Sequence, residues 1–564
     1  MCGIICVFSN NNSNARQEDL TKILQIFENT IKRRGPNSYN VKSIVTSNRC
    51  AVFAASVLWL QGQTLTDQPV EDYTSLFVYN GDIFSGISED IRLQQGDTVP
   101  LLNLLKSSAN ISVTLSKIAG PYAFIYLDKS KEILYFGRDV YGRRSLLIGK
   151  NDSVFILCSV AKRKEGFDFV EVPSIGTFCW NLRTGKMIVN PWQDCNKNFD
   201  IKLEELSRFL KCDISVQQIL PLVKSINSID CKIDEYDMTI LQTLGDVDTD
   251  QAFCKLISIQ KWQNNMNKLE ELLKKSIKVR VSNIPNSCSR CLYNNSGCIH
   301  ARIGVLYSGG VDCSILAALL DRCTDRESPI DLINVAFDKS SDYNVPDRIT
   351  GLEGLNELRL VCPDREWNFL SINVPQEELN SKRSASIADL IYPLTSILDD
   401  SLGCALWFAA RGKQDDVTSS CRVLLVGMGA DELFGGYTRH RAAFARGSWS
   451  GLNNVLNEDW QNLSHRNLGR DDRVVSDHGR QLRTPYLDEE VVNFVRGLKP
   501  WEKTFPSKTV PQGFGEKLLL RCLAYKLGLK KVARFKKRAL QFGSRIANKN
   551  EKAHEMSKRL VTKI

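Results

Sequence analysis

Histidine is scarce in this chain: there are five in 564 residues, and none stands before His300. A cysteine or serine nucleophile in the N-terminal half therefore lacks the base that such groups usually borrow. Long apolar runs are missing too. The longest, such as Ile315–Leu320, fall well short of the roughly 20 residues that cross a bilayer, so no membrane span is expected. Eighteen cysteines amount to about 3%, below the 8–10% of disulfide scaffolds. No charged, apolar and small-residue signal precedes Cys2. Reduced thiols and a cytoplasmic location are the expectation. Net charge is +10, with basic residues crowded into Lys526–Lys563, but no aromatic stacking motif accompanies them. Such a run is ordinarily a solvated helix face, and nucleic-acid binding is not expected.

At 564 residues, 43% of them hydrophobic, the chain has material for two or three domains. It opens Met1-Cys2-Gly3-Ile4. Removal of Met1 would leave an α-amino group on Cys2 that titrates near pH 7.7–8, and that amine can serve as the base which no histidine supplies. The plain alternative is a buried cysteine at the head of a strand, Gly3–Phe8. Leu20, Ile23, Leu24, Phe27 and Ile31 follow helical spacing. Short β-prone runs then recur at Val52–Leu60, Leu76–Tyr79, Ala123–Leu127, Ile133–Phe136 and Val154–Cys158. These suit a layered first domain over 2–192. The pattern weakens over 193–259, which reads as an extended linker or insertion. A helical period restarts at Trp262, Met266, Leu269, Leu273 and Ile277, marking a second domain over 260–564.

The second domain's chemistry begins at a strand-like run, Arg302–Tyr307, followed by Ser308-Gly309-Gly310-Val311-Asp312-Cys313-Ser314 and an apolar helical stretch. Glycines let backbone approach an anion, and the free amides at the head of a helix receive phosphate. It is not a Walker loop, because the Gly-Lys-Ser/Thr ending is absent. Gly-Gly between strand and helix also has an ordinary reading as a turn.

Taken together, Met1-Cys2-Gly3-Ile4, Arg34-Gly35-Pro36-Asn37, Asn80-Gly81-Asp82-Ile83-Phe84 and Gly137–Arg144 resemble, in order, the segments of class II glutamine amidotransferases, and asparagine synthetase in particular. Ser308–Ser314 is similar to the pyrophosphate loop of enzymes that split ATP into AMP and pyrophosphate. The resemblance implies an α+β N-terminal-nucleophile amidotransferase domain, layered α/β/β/α, followed by an α/β parallel-sheet ATP-pyrophosphatase-type domain. It implies Cys2 as nucleophile, Asn80 and the Gly81 amide as oxyanion hole, and Asp97 as holder of the glutamine ammonium. Asp97 aligns more loosely, since the usual glutamate two residues on is Val99. ATP would be bound by Ser308, Gly309, Gly310, Asp312, Cys313, Ser314, Gly427 and Lys517, with Asp312 and Asp431 on Mg2+. Leu332–Phe337 would wall the adenine pocket, and Lys536–Ser544 would close over pyrophosphate. Glutamine and a carboxylate, aspartate by resemblance, are the implied partners, and a homodimer is one arrangement it allows. The implied reaction is glutamine-hydrolysing, ATP-dependent amide formation.

Several positions depart from the family pattern. Val57 stands where an arginine grips the glutamine α-carboxylate. Cys313 replaces a serine of the pyrophosphate loop, with Ser314 available to compensate. Met428 replaces the glutamate that lies where ammonia meets the acyl-adenylate, and Gln481 replaces another glutamate. These leave two alternatives open: a nucleotide-binding pseudoenzyme or assembly partner, and an adenylating enzyme with another acceptor such as RNA. Cys288, Cys291, Cys298 and His300 form a further cluster whose ligand types suit zinc but whose spacing matches no common finger.

Overall fold

The computed structural model describes residues 2–9, 16–46, 49–164, 166–192, 198–217, 231–292, 298–511, 513–547 and 551–560. The first strand, Gly3–Ser9, shows how the N-terminal layers arise. Alternate side chains leave a strand on opposite faces. Ile4, Cys6 and Phe8 therefore enter the core between two sheets, while Ile5 and Val7 meet the helix Gln17–Arg34 through Leu20, Leu24, Phe27 and Ile31. The first sheet has six strands, ordered Asp168–Glu171, Leu147–Lys150, Val154–Cys158, Gly3–Ser9, Cys50–Val57 and Ser38–Val45. The second has seven, ordered Ile214–Val216, Met187–Pro191, Gly176–Asn181, Ile133–Arg138, Tyr122–Asp128, Ser75–Gly81 and Val70–Glu71. Leu101, Leu102 and Leu105 of helix Thr98–Ser107 cover its outer face at Phe77, Tyr79 and Phe124. Helix, sheet, sheet, helix is the expected order.

The stretch anticipated as a linker is largely built into both domains. Helix Phe199–Leu210 packs on the core between the sheets, and Ile214–Val216 adds a parallel edge strand beside Met187–Pro191. Helices Glu235–Gln242 and Thr249–Ser258 bury Ile240, Leu241, Phe253 and Leu256 in the core of the second domain. Each helix buries only two or three apolar side chains, so the burial depends on partners far away in sequence.

Five parallel strands form the second domain's sheet, ordered Trp367–Asn373, Ile330–Ala336, Ile303–Leu306, Val423–Leu425 and Gln481–Arg483. The chain builds outward from Ile303–Leu306 in one direction and then returns to its other side. Adjacent strands whose connections leave in opposite directions open a crevice at their carboxyl ends, which is where ligands of such sheets bind. Here that switch point lies between Ile303–Leu306 and Val423–Leu425, which lead into Ser308-Gly309-Gly310 and Gly427-Met428-Gly429. Between Arg411 and Cys421, ahead of the strand Val423–Leu425, an insertion forms a small hairpin pairing Lys413–Gln414 with Val417–Thr418. No helix among the described residues is long and apolar enough to cross a membrane.

Candidate functional site

Cys2 lies at the leading end of the first strand, and its backbone N donates to Asn80 Oδ1 at 3.0 Å. This fixes the Asn80 amide with its nitrogen turned the other way, buried and without a hydrogen-bond partner. An unmet buried donor costs about 1–3 kcal/mol, a cost removed when an anionic oxygen arrives. Gln68 Nε2 lies 3.7 Å from the Cys2 sulfur while its Oε1 accepts from Tyr79 N at 2.7 Å. Gln68 was not legible in the sequence as a site residue, because only the fold carries it to Cys2. Burial raises the Cys2 thiol pKa. The pocket beside it has a volume of about 50 Å³ and is lined by Val57, Gln68, Gly81, Asp82, Asp97 and Gln481 among others. Asp97 Oδ2 accepts from Ile83 N at 2.6 Å, whereas Oδ1 is buried with no partner. Burial, reinforced by Asp82, pushes the Asp97 carboxyl up to about 8.

Asp82 is buried as deeply, but burial is outweighed by Arg483 and Arg144, which hold its carboxyl below the usual range. Arg144 lies 2.9 Å from it and Arg483 3.1 Å. Arg34, from the Arg-Gly-Pro-Asn motif, pairs with Asp472 at 2.7 Å and donates to the Cys2 carbonyl at 3.3 Å. Asp472 and Arg483 come from the second domain, so one buried charge network joins the Cys2 pocket to it. Gln481 crosses the same boundary: it lines the pocket and accepts from Arg483. Beside Arg144 and Arg483 of this network a void of about 10 Å³ is lined also by Phe84, Arg280 and Leu468, room for roughly one water.

At the switch point of the parallel sheet lies a cleft of about 530 Å³. Gly309 has φ +77°, and a Cβ there would come within 2.1 Å of the Thr350 carbonyl oxygen. At Gly427 a Cβ would meet that of Asp312 at 2.7 Å, so glycine lets the two loops approach. Lys517, itself buried, lies 2.5 Å from Asp312 and 2.7 Å from Asp431. Burial alone would depress its ammonium, but the two carboxylates hold it above the usual lysine range. Burial raises the Asp312 carboxyl. At Asp431 burial is outweighed by Lys517 and Lys537, and its carboxyl falls to about 2. Asp312 Oδ1 is buried without a hydrogen-bond partner. Two facing carboxylates with a spare oxygen fit Mg2+, which takes one or two carboxylates and fills its remaining positions with phosphate and water.

Ser308, Gly310, Asp312, Cys313, Gly427 and Asp431 line the cleft, and Lys517 braces it from behind. Ile333 and Val335, from the strand expected to wall an adenine pocket, line it as well. Ser314 does not. Its side chain is fully buried and its Oγ lies 3.1 Å from the Tyr307 hydroxyl, because the residue after Cys313 is turned about 100° around the helix toward the core. It cannot compensate for Cys313, whose thiol instead donates to the Gly310 carbonyl at 3.2 Å. The basic C-terminal run is no single solvated helix face either. Lys537 and Arg538 line the cleft, and Arg559 pairs with buried Asp400 at 2.9 Å.

The glutamine amidotransferase domain family matches residues 1–164, and the asparagine synthase family matches 300–449 and 445–563. Asparagine synthetase domain-containing protein CG17486 of Drosophila melanogaster is 36% identical over 99% of this chain and 100% of its own length. The chain belongs to the asparagine synthetase domain-containing family. Asparagine synthetase domain-containing protein 1 of Mus musculus is 37% identical, covering 99% of each protein. A more distant relative, the glutamine-hydrolyzing asparagine synthetase of Rattus norvegicus, is 22% identical over 92% of this chain and 80% of its own.

Two of the departures from the synthetase pattern, Val57 and Met428, line the pocket and the cleft. Val57 lines the Cys2 pocket, and among the described lining residues there is no lysine or arginine. Met428 lines the cleft and packs against Leu463, Leu468 and Leu487. A thioether among leucines offers no proton acceptor.

Proposed function

We propose that this family member carries out glutamine-hydrolysing, ATP-dependent amide formation, with aspartate as the carboxylate, and that its glutamine capture and amide-forming step are both weakened. In the first half-reaction the free amine of Cys2 takes the thiol proton, the sulfur attacks the glutamine amide carbon, and Asn80 Nδ2 with the Gly81 amide receives the oxyanion. Ammonia leaves, and water releases glutamate from the thioester. In the second, the carboxylate attacks the α-phosphorus of ATP, pyrophosphate leaves, and ammonia displaces AMP. Mg2+ on Asp312 and Asp431 would neutralise phosphate charge there. Lys517 holds both carboxylates in place, while Lys537 and Arg538 offer charge to the leaving pyrophosphate.

The observation that carries this reading is the convergence of Asp312, Asp431 and Lys517 at the carboxyl-end crevice of the sheet. Met428 favours a second reading, a nucleotide-binding partner that does not complete synthesis. One purified sample assayed for glutamate, pyrophosphate and asparagine separates the two. Pyrophosphate with at least some aspartate-dependent asparagine supports the first. ATP binding with neither product supports the second. The same sample's intact mass should lack Met1, and retention of Met1 or acetylation of Cys2 would sink the glutaminase step.

A further inference from the structure

We infer that Cys288, Cys291, Cys298 and His300 form a structural zinc site that fastens the loop ahead of the phosphate-binding strand to the neighbouring hairpin. Nothing in this inference depends on the activity proposed above. One ligand atom from each of the four residues lies within 4.8 Å of all the others. The Cys288 sulfur is 3.7 Å from His300 Nδ1, and the Cys291 sulfur 3.5 Å from the same nitrogen. Tetrahedral zinc, with Zn–S about 2.3 Å and Zn–N about 2.0–2.1 Å, has S···N edges of about 3.5 Å. The gap between side chains is therefore that of a metal's first coordination sphere. Both contacts converge on the same ring nitrogen, as a shared centre requires.

The surroundings are also those of bound thiolate. The Cys288 backbone N–H points at the Cys298 sulfur, 3.4 Å away. Donors arranged around sulfur stabilise its anionic form, the form that binds metal. Three sulfurs cannot all be paired as disulfides, and the imidazole would have no part in such pairing. Three thiolates and one imidazole in a tetrahedron select zinc over the oxygen-seeking cations. All four positions come from protein, so the centre is closed, as structural rather than catalytic zinc sites are.

Its place in the fold gives it a task. Ser289 N and Oγ both donate to the Ser420 carbonyl at 3.0 Å, and Arg290 reaches the Thr418 carbonyl. The cluster thus sits where the hairpin insertion meets the leading ends of Ile303–Leu306 and Val423–Leu425. At about 3.3 Å per residue, a four-residue strand places it at least roughly 13 Å from the crevice at the other ends. It fixes the two central strands without touching the nucleotide.

The full chain, purified under reducing conditions without added metal and without a metal-affinity step, should carry about one zinc per molecule by mass spectrometry of the elements. Cys291→Ser and His300→Ala should each lose most of it. Should those variants fail to fold, wild-type protein stripped and reloaded with Co2+ decides: strong visible bands of tetrahedral cobalt with thiolate charge transfer are expected. Wild type that holds no zinc and gives no tetrahedral cobalt spectrum would overturn the site. A Cys288–Cys291 disulfide in the reduced preparation, or iron in place of zinc, would overturn it equally.

Discussion

The Cys2 pocket is small and has carboxyls but no basic side chain in its described lining, whereas the cleft at the sheet's switch point is about tenfold larger and lined by charges of both signs. The pocket, about 50 Å³, presents Asp82 and Asp97 with no lysine or arginine among its described lining residues. The cleft, about 530 Å³, is lined by Arg439, Arg466, Arg470, Lys537 and Arg538 and by Asp312, Asp347, Asp431, Glu432, Asp459 and Asp471. Each has an uncharged side chain where the synthetase pattern has a charged one, yet the consequences differ. On the proposed reading phosphate would meet Lys537 and Arg538 rather than position 428, so Met428 would bear on one chemical step. Beside the pocket Arg144 and Arg34 are paired with Asp82 and Asp472, and no described lining residue carries the positive charge missing at Val57.

The largest expected effect tests the cleft. Met428→Glu should raise asparagine formed per pyrophosphate released, with aspartate and ammonium supplied directly, by about 10²–10⁴, the usual worth of general-base help. The apolar surroundings of Leu463, Leu468 and Leu487 should raise the new carboxyl's pKa, toward the range where a base works best. An unchanged ratio would assign the defect elsewhere in the cleft. Next comes Asp312→Asn. Ligand at 100 times its dissociation constant raises stability by about 2.7 kcal/mol, so Mg-ATP should lift the melting temperature of the wild type and leave this variant unmoved. A shift retained in the variant would mean that Asp312 does not hold the metal.

Val57→Arg tests the pocket. A charge-assisted bond contributes about 1.5–3 kcal/mol, so apparent glutamine affinity should tighten by at least tenfold. Glutamine amide, which lacks the carboxylate, should gain nothing from the substitution and bind the wild type as well as glutamine does. Wild-type saturation at micromolar glutamine would show that another cation already serves.

The smallest effect is on pH dependence. With its folded pKa raised to about 8, Asp97 is neutral in the empty protein at pH 7, while a substrate ammonium needs it ionised. Glutamine binding should weaken by about tenfold per pH unit below that value. For stability, a carboxyl whose folded pKa lies above its unfolded one binds more protons when folded. Its unfavourable burial therefore grows as pH rises from about 4 and levels off above about 8. Asp97→Asn should raise the melting temperature at pH 7 to 8, have little effect near pH 4, and abolish glutamine binding. A variant equally stable with wild type across that range would show Asp97 to be ionised throughout.

How much was legible in the sequence follows from how local each signal is. Leu20 to Ile31 show a helical stripe because every turn of that helix faces the same core, and the strand beginning at Ile303 with its glycine loop was readable for the same reason. Helices Glu235–Gln242 and Thr249–Ser258 were not, since each contributes only a few apolar side chains to a core made mostly by others. Ser314 falls outside the cleft because a further 100° of helical turn beyond Cys313 carries its side chain into the core against Tyr307. Gln68, Asp82 and Gln481 belong to the pocket only through tertiary contact.

The sequence by itself determined the order of the amidotransferase and synthase segments, singled out Cys2, Asn80, Asp312, Asp431 and Lys517 as candidates, and showed the absence of charge at Val57 and Met428. Tertiary structure alone decided which partners those groups have. It left the Asn80 nitrogen unpaired, set Lys517 between two carboxylates, and spent Arg34, Arg144 and Arg483 on a buried network across the domains. It also drew Cys288, Cys291, Cys298 and His300 together. Spacing along a chain fixes neighbours only within an element, whereas charge pairing and metal coordination act across space, over separations of hundreds of residues that folding reduces to a few ångströms.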